Sequence, residues 1–233
     1  MLGPPRKARV SAAWEVPEYR GEMDLDGAFA AMRERYEGWL DEHDAASSQA
    51  VGWKDPAMQA LRFDLLAQVM EGDAPVAVAD FGCGTGALFA RLAARAAPPP
   101  LGAYVGYDLV PAMVEAARAQ HADPRARFEV ATEVREEVDY VLASGALTLR
   151  PGIEDADWEA HVQDVLRGLW ERSRRGLGFN LLARGAEPPD DAMYAGDPET
   201  WARWCSRALP GALVALRYGP PLQDFTVLVR RGR

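Results

Sequence analysis

The stretch VAVADFGCGTG, residues 76–86, decides the fold of this chain. Its apolar start is typical of a buried β-strand that ends at Asp80. Gly82, Gly84 and Gly86 follow, and glycines permit a tight turn and a close approach of the backbone to a ligand. In open α/β folds, parallel strands deliver such turns to the carboxyl edge of the sheet, where ligands bind. The stretch therefore predicts a ligand site with Asp80 at its edge.

Outward from this strand, short β-rich runs alternate with helical patterns, which indicates parallel strands joined by helical crossovers. The predicted helices are 25–39, 56–71, 86–97, 111–121 and 155–174, and the predicted strands are 76–80, 103–108, 126–130, 138–143 and 177–183. The final runs LVALRYGP and DFTVLVRR are joined by the short segment Gly219–Gln223, which predicts an antiparallel hairpin. The fold class is therefore α/β, with helices on both faces of a mostly parallel sheet.

Composition limits the functional classes. The 233 residues suit one globular domain, and 35 acidic against 26 basic residues give a net charge of -9, which opposes binding to nucleic acid. The basic run Arg172–Arg175 is predicted to end a helix, where cations favour the dipole. No apolar run approaches the roughly 20 residues that span a bilayer, so we expect a cytoplasmic protein without a membrane partner. Cys83 and Cys205 are too few and too far apart to indicate a disulfide or a metal site.

The glycine-rich turn fits two kinds of nucleoside ligand. Gly82, Gly84 and Ala87 satisfy the dinucleotide pattern G-x-G-x-x-A. However, Asp80 would face the pyrophosphate of a dinucleotide, whereas it would attract a ligand with an ammonium group. Asp108 ends the next strand, where an acid can accept hydrogen bonds from ribose hydroxyls of either ligand.

The segments DFGCGTG and GYDLVPAMVEAAR, residues 80–86 and 106–118, resemble the class I S-adenosylmethionine-dependent methyltransferases. In architecture the resemblance covers about residues 50 to 229, and it implies a Rossmann-like sheet with a C-terminal antiparallel hairpin. It also implies S-adenosyl-L-methionine as cofactor and S-adenosyl-L-homocysteine as product. No metal is implied.

The resemblance assigns cofactor contacts residue by residue. It places the turn against the methionine part, Asp80 near the ammonium group and Asp108 on the ribose. Thr132 and Glu133 occupy the place of an adenine-binding acid, and each is equally well an ordinary loop residue. The full set of expected cofactor-binding residues is Gln59, Arg62, Asp80, Phe81, Gly82, Cys83, Gly84, Gly86, Asp108, Leu109, Thr132, Glu133 and Ser144.

Gln59 and Arg62 resemble a pair that reaches the cofactor carboxylate in some small-molecule members. They share one helical face, and arginine binds a carboxylate through two parallel hydrogen bonds. The alternative is a solvated helix face on which Arg62 pairs with Asp55 or Glu71.

The acceptor side is less defined. His43 and Ser144 are the catalytic candidates, with His43 preferred as a base over His121, which ends a surface helix, and His161, which lies within a helix. The expected substrate-binding residues are Tyr36, His43, Asn180 and Tyr194.

Residues 1–50 have no place in the parallel sheet, and they contain Trp14 and Tyr19 before a helical pattern of apolar residues. We expect them to form a lid over the acceptor site of a methyltransferase domain comprising residues 51–233. The alternative is a helix packed on the flank of the sheet.

The sequence thus predicts methyl transfer to a nitrogen, oxygen or carbon of a small-molecule acceptor, in bacterial specialised or carbohydrate metabolism. The segment SGALTL stands after the fourth strand, where enzymes that methylate nitrogen in nucleic acids or glutamine amides carry the signature Asn/Asp-Pro-Pro-Tyr/Phe. A homodimer remains open. The alternatives are an NAD(P)-dependent oxidoreductase and a non-catalytic nucleoside-binding module. The oxidoreductase is disfavoured because Lys7 and Lys54, the two lysines, provide no Tyr-x-x-x-Lys pair.

Overall fold

The computed structural model of the chain describes residues 24–186 and 191–232. The predictions made for residues 1–23, including Trp14 and Tyr19, lie outside this range. The described helices are α1 (Leu25–Glu42), α2 (Pro56–Ala67), α3 (Ala87–Ala93), α4 (Pro111–Gln120), α5 (Asp155–Arg172) and α6 (Pro198–Ala208), with a 3₁₀ turn at Ser48–Val51. The strands are β1 (Val76–Phe81), β2 (Leu101–Asp108), β3 (Ala126–Val130), β4 (Val138–Ala143), β5 (Ser173–Ala183), β6 (Ala195–Gly196), β7 (Ala212–Tyr218) and β8 (Asp224–Arg231).

The strands form one mixed sheet in the order β3-β2-β1-β4-β5-β8-β7, with the short β6 paired to β5. The strands β1 to β5 are parallel, and β8 is antiparallel to both β5 and β7. The expected α/β class, with a mostly parallel sheet that ends in an antiparallel hairpin, is confirmed. The strand order reverses between β1 and β4, which is the point where open α/β sheets form a ligand crevice.

The core has two layers because successive strand residues point to opposite faces of the sheet. Val78 and Ala79 are neighbours on β1, and both are fully buried, but they belong to different hydrophobic clusters. Val78 packs with side chains of α2, α3 and α4, whereas Ala79 packs with side chains of α1, α5 and α6. Helices on both faces therefore fix the sheet and hold its carboxyl edge in place.

Several element ends differ from the predictions. The helix α2 stops at Ala67, not near Glu71, and the N–H groups of Gln68 and Val69 bond three residues back in a tighter turn. Arg230 donates to the carbonyl oxygens of Gln68 and Val69 there. The helix α5 stops at Arg172, and β5 begins at Ser173, so the run Arg172–Arg175 straddles a helix and a strand. Arg174 there pairs with Asp139 at 3.5 Å. The sequence analysis also missed β6.

The helix α1 lies over the carboxyl edge of the sheet. Arg33 Nε donates to the carbonyl oxygen of Leu109, the residue that follows β2, at 3.2 Å. On the other side of the edge, the ring of Phe29 meets the ring of His161 on α5, with 6.0 Å between their centroids. The helix therefore spans from the β2 side of the edge to α5. No helix in the described ranges is long and apolar enough to cross a membrane.

Candidate active site

A cavity of about 550 Å³ lies at the carboxyl edge of the sheet. Its walls come from the loop after β1, the ends of β2 and β3, the loop after β4, and side chains of α1, α2 and α5. The segment 221–224 that leads into β8 completes the enclosure. The cavity thus occupies the crevice at the reversal of strand order, where the sequence predicts a ligand.

The glycine turn is built without room for side chains. Gly82, Gly84 and Gly86 have φ values of +75°, +51° and +86°, a conformation that residues with a Cβ rarely adopt. A Cβ on Gly82 would lie 2.4 Å from Cβ of Ala146, and a Cβ on Gly84 would lie 2.8 Å from Cγ1 of Val51. Substitution of Gly82 or Gly84 would therefore close the space between the turn and the opposite wall.

Amides of the turn donate hydrogen bonds within the protein. The N–H groups of Gly82 and Cys83 both donate to the carbonyl oxygen of Tyr107, at 2.8 and 3.0 Å. The Gly84 N–H donates to Asp108 Oδ2 at 2.8 Å. The turn is therefore fastened to the end of β2, and these three amides are already used before any anionic group arrives.

Asp80 is a buried carboxylate with one oxygen free. Its Oδ2 accepts a hydrogen bond from the Tyr104 hydroxyl at 2.5 Å, whereas its Oδ1 is buried and has no hydrogen-bond partner in the part of the chain that the structure describes. Burial, opposed by the Tyr104 hydrogen bond and assisted by the charge of Asp108, raises the pKa of Asp80 to about 7. Asp80 also lines the cavity, and an unpaired buried carboxylate oxygen favours the approach of a ligand donor.

Asp108 lines the same cavity from the end of β2. Its oxygens accept hydrogen bonds from the N–H groups of Gly84 and Val110, at 2.8 and 2.9 Å. Burial raises its pKa, although these hydrogen bonds act in the opposite direction. A carboxylate offers about four acceptor sites, so Asp108 can accept further hydrogen bonds from a ligand.

Tyr36 on α1 lines the cavity on the Asp108 side. Burial first, and the charge of Asp108 second, raise the pKa of its hydroxyl to about 12. The hydroxyl is therefore protonated and can donate to a ligand. The structure places this expected substrate residue next to the expected ribose residue.

Gln59 and Arg62 are both buried and line the cavity from α2, but Arg62 has a different partner from those anticipated. Its Nε donates to the buried Asp224 at the start of β8, and not to Asp55 or Glu71. The guanidinium also lies on the ring of Trp53, with its Cζ 4.1 Å from the ring centroid.

The loop after β4 faces the cavity with Ser144, Gly145 and Ala146. The Ser144 hydroxyl is buried and has no hydrogen-bond partner among the described residues. Asn180 on β5 does not line the cavity, and its Oδ1 accepts a hydrogen bond from the Gly145 N–H at 2.7 Å. The structure thus corrects the expected role of Asn180, which holds the loop from behind.

The remaining wall is apolar except for one imidazole. We call it the α1–α5 wall and define it by Phe29, Met32, Leu149, Trp158, His161 and Met193, all of which line the cavity. Trp158 Nε1 donates to the carbonyl oxygen of Leu147 at 2.8 Å, so α5 is fixed against the loop after β4. Leu149 and Met193 meet in an isolated antiparallel bridge.

Two expected acceptor-side residues lie elsewhere. His43 caps α1, which runs to Glu42, and its Nδ1 lies 3.0 Å from the carbonyl oxygen of Trp39, outside the cavity lining. Tyr194 is 1% exposed, and its hydroxyl donates to Glu159 Oε1 at 2.7 Å and accepts from Trp201 Nε1 at 3.0 Å. Because a buried phenol requires such partners, Tyr194 points away from the cavity, and its neighbour Met193 faces it.

Of the expected cofactor residues, Phe81, Gly82, Cys83, Gly84, Leu109 and Thr132 line the cavity together with the side chains described above. Glu133 is exposed and does not line it. Gly86 also lies outside the lining, because the ring of His121 packs there, 2.6 Å from the position of a Gly86 Cβ. His121 Nε2 lies 3.1 Å from the carbonyl oxygen of Thr85, so this histidine supports the turn and does not simply end a surface helix.

The sequence analysis missed Asp224 and His161. Asp224 meets Arg62 across 162 residues of sequence, and no local pattern indicates that contact. For His161 the sequence did contain a signal, because Trp158, His161 and Val165 are spaced by three and four residues and so share one face of α5. In the structure all three line the cavity. In the described ranges, no group of three or more His, Cys, Asp or Glu side chains could hold a metal ion.

Comparison with known proteins identifies relatives of this chain. A family described as a methyltransferase domain matches residues 78–171. Rv1506c of Mycobacterium tuberculosis (strain ATCC 25618 / H37Rv), which is named as a methyltransferase, is 36% identical over 160 residues, or 67% of this chain and 94% of that protein.

Solved structures share the fold at low sequence identity. The magnesium protoporphyrin IX methyltransferase ChlM of Synechocystis PCC 6803, with bound S-adenosylhomocysteine, has a TM-score of 0.63 at 13% identity and covers 88% of this chain and 100% of its own. The DhpI complex with S-adenosylhomocysteine has a TM-score of 0.61 at 16% identity and covers 89% of this chain and 98% of its own.

Proposed function

This chain belongs to the class I S-adenosylmethionine-dependent methyltransferases, and from that premise we propose that it methylates a small-molecule acceptor in the cavity at the carboxyl edge of its sheet. The proposal concerns which residues hold the cofactor and what kind of acceptor is methylated. Bound there, S-adenosylmethionine supplies an electrophilic methyl group on its sulfonium. The protein contributes binding, orientation and the exclusion of water.

The observation that carries the proposal is the pair of buried acids on either side of the glycine turn. Asp80 has a free buried oxygen that suits an ammonium donor, and Asp108 has acceptor capacity left for ribose hydroxyls. Asp108 suits the ribose of either nucleoside ligand, but Asp80 would face the pyrophosphate that the turn of a dinucleotide site has to hold. The residues present therefore fit S-adenosylmethionine and not NAD(P).

Arg62 and Gln59 supply the opposite charge and polarity on the α2 side. The ion pair with Asp224 and the contact with the Trp53 ring restrict the guanidinium, so less rotamer freedom is lost when it binds a carboxylate. We assign Arg62 and Gln59 to the methionine carboxylate. Thr132 stays a candidate for the adenine side, and Ser144 stays a candidate beside the transferred methyl group.

The shape of the site supports a small acceptor. The volume of about 550 Å³ lies within the range of roughly 300–1,000 Å³ that is typical of small-molecule pockets, and it must contain cofactor and acceptor together. The net charge of -9 adds repulsion against a nucleic-acid acceptor. We keep specialised or carbohydrate metabolism as the proposed context.

We also propose that the described part of the N-terminal segment, residues 24–50, caps the acceptor site of the domain formed by residues 51–233. Phe29, Met32, Tyr36 and Trp39 of α1 all line the cavity, which a helix on the sheet flank would not do. Water exclusion by such a cap would favour methyl transfer over hydrolysis.

Calorimetric titration tests the proposed function. We expect S-adenosylmethionine and S-adenosylhomocysteine to bind and NADH not to bind. Asp108→Ala should weaken S-adenosylhomocysteine binding by on the order of 1.5–3 kcal/mol, because a charged acceptor is lost. Asp123→Ala, which changes a partly exposed acid near β3 that lies outside the cavity lining, is the control and should bind normally. Binding of NADH to the unaltered protein, together with an unchanged affinity of Asp108→Ala for S-adenosylhomocysteine, would contradict the assignment of the cavity to S-adenosylmethionine.

A further inference from the structure

The described lining of the cavity contains a charged set of residues and an apolar wall. None of the charged residues belongs to the α1–α5 wall: Lys54, Asp55, Arg62, Asp80, Asp108 and Asp224. The wall itself offers aromatic, aliphatic and thioether surface. Such a surface gains free energy by covering apolar atoms and has no partner for a charged group.

His161 is the exception within the wall. It is half-buried, and its ring packs against Trp158 with 4.9 Å between centroids and against Phe29 with 6.0 Å. Aromatic rings from two helices, α5 and α1, thus contact the imidazole. Burial lowers the pKa of His161, while the charge of Asp164 on the same helix acts in the opposite direction.

A neutral imidazole carries one nitrogen with a proton and one without, so it can accept a hydrogen bond from a hydroxyl or an amine. The other two histidines each have a ring nitrogen close to a backbone carbonyl oxygen: that of Trp39 for His43, and that of Thr85 for His121. His161 is the histidine that lines the cavity.

We propose that the α1–α5 wall is the acceptor subsite, and that it takes an uncharged, largely apolar ring compound whose hydroxyl or amine donates a hydrogen bond to His161. This rests on the proposed function, because the cofactor must occupy the Asp80–Asp108 side for the wall to be the acceptor side. It narrows the acceptor class from any small molecule to an apolar one. Because it disfavours free sugars and carboxylates, it favours specialised over carbohydrate metabolism within the proposed context.

The test uses protein saturated with S-adenosylhomocysteine, and saturation is first verified by calorimetry. If the nucleoside does not bind, the proposed function fails; if it binds, the acceptor subsite is tested by itself. The probes are 2-naphthol, naphthalene, 2-naphthoate and glucose. Imidazole signals of ¹⁵N-histidine-labelled protein report the three histidines separately, and His161→Gln assigns the signal of interest.

We expect 2-naphthol to shift the His161 signals and to leave those of His43 and His121 in place. We expect 2-naphthoate and glucose to bind at least about tenfold more weakly, since the single imidazole of the wall cannot offset the desolvation of a carboxylate or of several sugar hydroxyls. Comparable binding of 2-naphthoate, or a naphthol shift confined to His43 or His121, would overturn the subsite.

His161→Phe separates the hydrogen bond from the shape of the wall. The aromatic ring is kept and the nitrogen acceptor is lost, so the affinity for 2-naphthol should fall about tenfold while that for naphthalene should not fall. Equal effects on the two probes would show that His161 only packs in the wall. Circular dichroism and the calorimetric affinity for S-adenosylhomocysteine verify that the variant is folded.

Discussion

Arg62 on α2 and Asp224 at the start of β8 form a buried ion pair that joins two distant segments of the chain at the wall of the cavity. Their side chains are 10% and 9% exposed. Burial raises the pKa of Asp224, and the charge of Arg62 opposes that change. The pair therefore links the stability of the C-terminal hairpin to the orientation of a guanidinium that borders the ligand.

Asp224→Asn should leave the buried guanidinium without its counter-ion. We expect the free energy of unfolding to fall by about 3 kcal/mol, the lower end for a buried pair, because the cavity lets water reach Arg62. We also expect weaker binding of S-adenosylhomocysteine. Urea unfolding and calorimetry measure both effects.

The pair Arg91–Asp64 provides the matched control, because its side chains are 48% and 46% exposed. Asp64→Asn should change stability by no more than about 1 kcal/mol. Similar losses in the two variants would mean that burial does not give the Arg62–Asp224 pair its importance.

Asp80 makes stability depend on pH with a defined sign. Its pKa is about 7 in the folded protein against a usual value of 3.8, so between pH 4 and 7 the folded state binds more protons than the unfolded state. Stability therefore falls as the pH rises through this window and levels off above pH 7. From pH 5 to pH 8 the contribution of Asp80 should decrease by about 2–3 kcal/mol.

Asp80→Asn removes this titration. Urea unfolding of both proteins at pH 5 and pH 8 measures the difference between their slopes. If the two proteins lose stability in parallel between these pH values, Asp80 does not carry the raised pKa.

Gly84→Val should abolish S-adenosylhomocysteine binding while the protein remains folded. The β-carbon would collide with Val51 and force a branched residue to a φ of +51°, so the turn and the 3₁₀ segment must move apart. Strain of this kind costs on the order of 1–3 kcal/mol, which calls for a check by circular dichroism.

Gly168→Val is the control for this change, because Gly168 lies on α5 with no heavy atom near its missing Cβ. It should alter stability by less than about 1 kcal/mol and leave binding unchanged. Normal affinity in a folded Gly84→Val protein would exclude the turn as the cofactor contact.

The contrast between Asp108 and Asp224 shows how far the sequence determines the site. Asp108 could be predicted because a strand period and a fixed distance from the glycine turn place it at the sheet edge. Asp224 could not, because its partner is chosen by the packing of α2 against β8. The fold was predictable for the same local reason, since periodic apolar runs and turn residues specify each strand and its neighbour.

Side-chain direction limited the prediction of the acceptor side. His43 and Tyr194 have suitable chemistry, but His43 caps the end of α1, and the Tyr194 hydroxyl forms buried hydrogen bonds away from the cavity. His161 looked like an ordinary helical residue, because only the position of α1 turns that face of α5 into a cavity wall. Such facts depend on tertiary packing, which single-residue patterns do not contain.

The last prediction concerns the cap formed by residues 24–50. Arg33 is exposed, and its Nε holds α1 to the carbonyl oxygen of Leu109, which directly follows Asp108. A ligand on Asp108 should stabilise this end of β2 and therefore the helix attached to it. Hydrogen exchange should then slow in α1 and in the turn Ser48–Val51 when S-adenosylhomocysteine binds, while α6, which lies away from the cavity lining, should exchange at an unchanged rate.

Arg33→Ala provides the decisive comparison. It removes the hydrogen bond to Leu109, and Arg33 itself lies outside the cavity lining. We expect added protection of α1 to shrink in this variant while protection of the glycine turn persists. If α1 gains no protection in the unaltered protein although the glycine turn does, the helix is a fixed wall of the cavity, and its role as a ligand-responsive cap is contradicted.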